Sequence, residues 1–81
     1  MSTVTVQLFA SYAELLGATE IAVSVTDQPT VSDLVAAIRA LPGANALPAE
    51  PKVAVNRAFA RPTQRLSASD EIALIPPVAG G

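Results

Sequence analysis

Thr30-Val31-Ser32-Asp33-Leu34-Val35-Ala36-Ala37-Ile38-Arg39-Ala40-Leu41 reads as the principal helix of this chain. Val31, Leu34, Val35, Ile38 and Leu41 recur at three- and four-residue spacing, which gathers them into one apolar stripe on a helical period. Its start is marked twice. Pro29 suits the extended residue before a cap, and Thr30 with Asp33 three positions later is a variant of the capping box. Pro42-Gly43 ends the helix.

Upstream, Val4-Thr5-Val6-Gln7-Leu8-Phe9-Ala10 alternates with period two, the pattern of a half-buried strand with Val4, Val6 and Leu8 on the core face. Phe9 breaks that pattern, because it shares the opposite face with Thr5 and Gln7. Ser11 is expected to cap a short helix through Tyr12-Ala13-Glu14-Leu15-Leu16, closed by Gly17 where a left-handed residue is wanted. Glu20-Ile21-Ala22-Val23-Ser24-Val25 alternates again, with Ile21, Val23 and Val25 inward, so the two strands are expected to pair antiparallel.

Downstream, Gly43 to Pro51 reads as a loop. Val53-Ala54-Val55 is a short apolar strand, and Asn56-Arg57 is a candidate hairpin turn into Ala58-Phe59-Ala60. Polar residues run from Arg61 to Glu71, and Ile72-Ala73-Leu74-Ile75 forms a last strand stopped by Pro76-Pro77. This order predicts an α+β, ubiquitin-like β-grasp fold, a mixed sheet with one main helix packed across it. Residues 1–75 are expected to form the domain and residues 76–81 an extended C-terminal tail.

Composition narrows the chemistry. At 81 residues the chain makes one domain, and such a domain buries only about 60–65% of its unfolded surface. A hydrophobic fraction of 51% supports a packed globule rather than disorder. The net charge of −2 with scattered basic residues argues against nucleic acid. Neither a membrane-spanning run nor a secretory signal is visible, so a cytoplasmic location is expected. The absence of Cys removes thiolate chemistry and Cys-based zinc binding, and the absence of His removes the side chain best suited to proton transfer near neutral pH. Glu14, Asp33, Asp70 and Glu71 show no metal or acid–base spacing. No bound cofactor or metal is expected, and catalysis by this chain alone is disfavoured.

The remaining chemistry lies at the C-terminus, Pro76-Pro77-Val78-Ala79-Gly80-Gly81. Two prolines leave no N–H for a continuing ladder and favour an extended direction. Six residues reach roughly 20 Å. Gly80 and Gly81 leave the terminal carboxylate free of neighbouring side chains, so a narrow channel could reach it. Ionised at neutral pH, that carboxylate can attack the α-phosphorus of ATP. The resulting acyl-adenylate is open to a sulfur nucleophile, which would give a thiocarboxylate. Phe9, Phe59 and Ile75 are expected to lie off the core face, as an apolar interface beside the tail's exit. The alternative is that one or more belongs to a second layer of core.

Leu8-Phe9-Ala10, Glu14-Leu15-Leu16-Gly17, Thr30-Val31-Ser32-Asp33-Leu34, Ala54-Val55-Asn56 and above all Asp70-Glu71-Ile72-Ala73-Leu74-Ile75-Pro76-Pro77-Val78-Ala79-Gly80-Gly81 resemble the small, sulfur-carrying subunit of molybdopterin synthase. The chain also resembles, less closely, the carrier that supplies sulfur for the thiamine thiazole ring. The resemblance implies adenylation of Gly81 by a ubiquitin-activating-like adenylyltransferase that uses ATP, followed by sulfur loading from a donor protein. It implies a large synthase subunit as partner, in a heterotetramer of two small and two large subunits. The tail residues Pro76, Pro77, Val78 and Ala79 would enter that partner, and sulfur would pass to cyclic pyranopterin monophosphate. Its apolar interface positions match Phe9, Phe59 and Ile75. Two positions depart: Ala13 stands where many members carry Arg, and Ser69 where a Gly-Asp-Glu turn is common. A protein modifier, forming isopeptides through Gly81, is the second reading of the same tail. A plain binding domain is the third, and a free-standing enzyme is as disfavoured.

Overall fold

The computed structural model describes residues 2–48 and 50–76. In chain order they form β1 (Ser2–Leu8), α1 (Ala10–Leu16), β2 (Glu20–Val25), α2 (Val31–Arg39), a single 3-10 turn (Ala44–Ala46), β3 (Lys52–Val55), β4 (Ala58–Phe59) and β5 (Ile72–Ile75). The five strands make one mixed sheet in the order β2-β1-β5-β3-β4. β1 pairs antiparallel with β2 and parallel with β5, and β3 pairs antiparallel with both β5 and β4. The last strand therefore occupies the centre of the sheet. This is the β-grasp arrangement that the element order predicts.

The apolar alternation decides which face is covered. Val4, Val6 and Leu8 of β1, Val23 and Val25 of β2, Val53 and Val55 of β3, and Ile72 and Leu74 of β5 are all buried. They meet Val31, Leu34 and Ile38 of α2, with Ile21, Val35 and Leu41 half-buried around them. The capping box of α2 is formed: the Asp33 N–H donates to Thr30 Oγ1 at 3.2 Å, and the Thr30 N–H donates to Asp33 Oδ2 at 2.9 Å. The next helix donors find carbonyls across the chain, from Val31 to Gln64 at 2.9 Å and from Ser32 to Pro62 at 2.9 Å. That satisfies N–H groups which a helix start otherwise leaves orphaned.

Three local expectations change. Helix α1 starts at Ala10, so Ser11 lies inside its first turn and is not the cap. Phe9 holds the cap position in extended geometry (φ −125°, ψ 153°) without a side-chain bond, and its carbonyl accepts from Tyr12 at 3.0 Å. The reason is continuity with β1: the Leu8 N–H still donates to Thr19 at 2.8 Å, so the chain enters the helix straight from the strand. Gly17 closes α1 with φ 72°, as its position predicts. The segment after Gly43 is more than a loop, because Ala44 and Leu47 are buried against the core. Likewise, the polar run 61–71 hides Leu66, whose N–H donates to Pro29 at 2.8 Å.

Candidate functional site

The uncovered face of the sheet can be built from its register. Gln7 of β1 lies opposite Ala73 of β5, Ala73 opposite Ala54 of β3, and Ala54 opposite Phe59 of β4. One step toward the end of β5, Ile75 lies opposite Lys52. Small residues in the middle of the first row leave a shallow depression, lined by Gln7, Phe9, Ala54, Ala73 and Ile75, with Arg57 and Glu71 at its edge. Phe9 is 47% exposed and Phe59 68% exposed, while Ile75 is half-buried. The two phenylalanines thus belong to no second core layer.

The three apolar residues singled out in the sequence are not equally close. Phe9 and Ile75 share the depression, whereas Phe59 stands beyond Ala54, at the short outer strand. Lys52 closes that gap. Its ammonium lies 5.2 Å from the centre of the Phe59 ring, a cation–π geometry. Lys52 lies outside the residues that the sequence pattern singles out. Two signals could have found it: it is the chain's single lysine, and it falls on the outward alternation of β3. Phe59 and Lys52 also border a groove of about 470 Å³ between the sheet edge and α2. Val31, Val35, Val53 and Ala60 give that groove apolar walls, and Glu50 adds a carboxylate at its rim.

The turn before β5 is fastened to the β3–β4 hairpin. Asn56 Nδ2 donates to Asp70 Oδ1 at 3.1 Å, and the Glu71 N–H donates to Asn56 Oδ1 at 2.9 Å. Asp70 Oδ2 accepts from the Ser67 N–H at 2.7 Å. Ser69 joins this turn through a 3.1 Å contact between its hydroxyl and that of Ser67, and the turn holds no left-handed backbone that would require Gly there. Ala13, the other departure, packs half-buried against the core. Arg57 approaches Glu71 at 3.8 Å across exposed surface, so the pair contributes little. These bonds fix where β5 begins and hence where it ends.

Asp33 has its carboxyl held below the usual range by the Thr30 backbone N–H first, then by the Thr30 hydroxyl and the charge of Arg65. It is a cap. Burial pushes the Tyr12 phenol up, consistent with its place in the core. Among the described residues no group of three His, Cys, Asp or Glu could hold a metal. Nor is any described helix long and apolar enough to cross a membrane. Pro76 follows β5 half-buried, and Pro77, Val78, Ala79, Gly80 and Gly81 lie outside the described residues.

The profile of the ThiS family matches residues 6–81. Small archaeal modifier protein 1 of Haloferax volcanii is 31% identical, with 99% of this chain and all of that one aligned at a TM-score of 0.82. Small archaeal modifier protein 1 of Methanosarcina acetivorans is 25% identical, with coverage of 100% and 98% and a TM-score of 0.71. Subunit 1 in the complex of subunits 1 and 2 of the Helicobacter pylori molybdopterin-converting factor shares the fold at 21% identity, with coverage of 99% and 100% and a TM-score of 0.71. No curated protein matches the chain significantly.

Proposed function

This chain belongs to the ThiS family and is a ThiS-like sulfur carrier, and from that premise we propose that it is the sulfur-carrier subunit of molybdopterin synthase. The observation that carries the proposal is the run from Asp70 to Gly81, in which a central strand ends beside Phe9 and Lys52 and continues into Pro-Pro-Val-Ala-Gly-Gly.

The Gly81 carboxylate attacks the α-phosphorus of ATP on an adenylyltransferase, forming a C-terminal acyl-adenylate and releasing pyrophosphate. Hydrosulfide released by a donor protein attacks the acyl carbon, a C–S bond forms, the C–O bond to the phosphate breaks and AMP leaves, so that the C-terminus becomes a thiocarboxylate with the proton going to solvent. The outer face carrying Phe9, Ile75 and Phe59 docks on the large synthase subunit, and the tail enters that subunit's active site. Sulfur then passes to cyclic pyranopterin monophosphate. The catalytic groups belong to the partners, and this chain supplies the reacting atom and the surface that delivers it.

The test is intact mass spectrometry of the protein from its native cell, looking for replacement of one terminal oxygen by sulfur. Thiol-reactive alkylation separates that species from an oxidised one of nearly equal mass. Its absence while molybdenum cofactor is in demand would sink the proposal. Deleting Gly81 is expected to abolish sulfur transfer with no change in thermal midpoint.

A second reading, protein modification through Gly81, is favoured by the 31% identity to a small archaeal modifier protein. It predicts grafts on lysines of other proteins. Since Arg65 is the last basic residue, trypsin would leave residues 66–81 on each modified lysine.

A further inference from the structure

Arg57 sits where the fold itself gains least from it. It holds the second central position of the β3–β4 turn at φ 71°, a left-handed backbone that Gly adopts freely and a residue with a Cβ resists. Its neighbour Asn56, at φ 53°, answers for its conformation with amide bonds to Asp70 and to the Glu71 N–H. Arg57 makes no such bond. Among the described residues its one charged neighbour is the Glu71 carboxylate at 3.8 Å, beyond hydrogen-bond reach, and its side chain is 86% exposed. An exposed pair of this kind adds little to stability. For the turn alone, Gly would serve better.

What Arg57 does have is its position. The outer depression has two ends, because β3 and β5 run antiparallel: Val55 pairs with Ile72 at the hairpin end, and Lys52 with Ile75 at the tail end. Three residue steps of strand set these ends roughly 10 Å apart. Phe9 and Ile75 line the tail end, Arg57 and Glu71 the hairpin end, and the floor between them is Ala54 and Ala73. The depression thus joins a small apolar floor to a cation whose five N–H donors meet no acceptor within hydrogen-bond reach among the described residues.

We propose that Arg57 is a docking residue for the large synthase subunit, and that it receives a carboxylate of that subunit beside an apolar side chain seated over Ala54 and Ala73. The proposal rests on the carrier reading above. A guanidinium presents a planar fork that a carboxylate meets through two parallel N–H···O bonds. The apolar contact at Phe9 and Ile75 alone leaves the domain able to rotate on its partner. A directional contact at the other end of the same depression fixes that rotation, and with it the line along which β5 points toward the tail. The left-handed backbone at Arg57 is then kept for docking rather than for the fold.

The experiment measures association and dissociation rates of the full chain with the large synthase subunit of its own cell, at two salt concentrations. At about 0.01 M salt, where the screening length is about 30 Å, Arg57→Asn should associate several-fold more slowly than the wild type. At about 1 M, where that length is about 3 Å, the two association rates should converge. Arg57→Lys keeps the charge and loses the fork, so it should associate like the wild type and dissociate faster. Asn accepts a left-handed backbone, so the thermal midpoint of Arg57→Asn should equal or exceed that of the wild type. A lower midpoint would mark Arg57 as a support of the hairpin and overturn the proposal. So would wild-type rates in Arg57→Asn at low salt, a deficit that persists at high salt, or Arg57→Lys behaving like Arg57→Asn. In each of these cases, binding by the wild type leaves the carrier reading standing. Failure of the wild type itself to bind the large subunit would remove that reading, and the role of Arg57 with it.

Discussion

At the scale of single residues, Thr30 and Asp33 show how a surface pair sets the position of a core element. Thr30 supplies the oxygen for the Asp33 N–H, and Asp33 returns a carboxylate to the Thr30 N–H. Thr30→Ala is expected to cost about 1 kcal/mol, read from the urea midpoint at neutral pH. The pH dependence has a definite sign. Asp33 is depressed in the folded state, so its stabilisation is present above the unfolded carboxyl pKa of about 3.9 and is lost as pH falls through the lower folded value. Asp33→Asn should therefore flatten the acid limb of a stability–pH curve. An unchanged acid limb would show that the capping carboxylate is not what titrates.

At the scale of elements, the β3–β4 hairpin is the place where the backbone is least at ease. Asn56 and Arg57 both take positive φ, 53° and 71°, as a two-residue type I′ connection demands. Asn tolerates that region, and Arg does so at a cost. Arg57 gains only the exposed 3.8 Å approach to Glu71 in return. Arg57→Gly is expected to raise stability by about 0.5–1 kcal/mol, measured as a shift in denaturation midpoint with unchanged slope. The same element shows the limits of local reading. Asn-Arg is a weaker hairpin signal than Asn-Gly, yet Asn56 makes it hold, because its amide also bonds Asp70 and the Glu71 N–H. Those partners are 14 and 15 residues away, beyond the reach of any turn rule. Helix α1 errs in the opposite direction: Ser11 looks like a cap by type, but the strand running through Leu8 fixes where the helix must begin.

At the scale of the whole molecule, the sheet divides its labour between faces. The inner face carries stability. Leu34 of α2 is fully buried against the sheet, and Leu34→Ala should cost about 3 kcal/mol. For a domain whose stability is on the order of 5 kcal/mol, that removes most of it. On the function proposed above, the outer face carries recognition. Phe59→Ser and Phe9→Ser touch exposed rings, so thermal midpoints should change little while binding to the large subunit falls. Loss of fold in either variant would return these rings to the core, and unimpaired binding would remove them from the docking surface.

Much of this division was legible in the chain itself. Period-two alternation in 4–8 and 20–25, the stripe of α2, Gly17 and the capping box each follow from local sterics and hydrogen bonding, which need no knowledge of distant residues. The chemistry proposed for the tail also rests on the sequence, since a chain with neither Cys nor His offers little other reacting group than the carboxylate of Gly81. Tertiary structure alone decided the rest. Leu66, Ala44 and Leu47 are buried in segments without periodicity, because other elements happen to cover them. Lys52 gains its place beside Ile75 only when β5 inserts between β1 and β3. Strand pairing joins residues far apart in sequence, and a chain's local preferences carry no record of which strand will lie alongside.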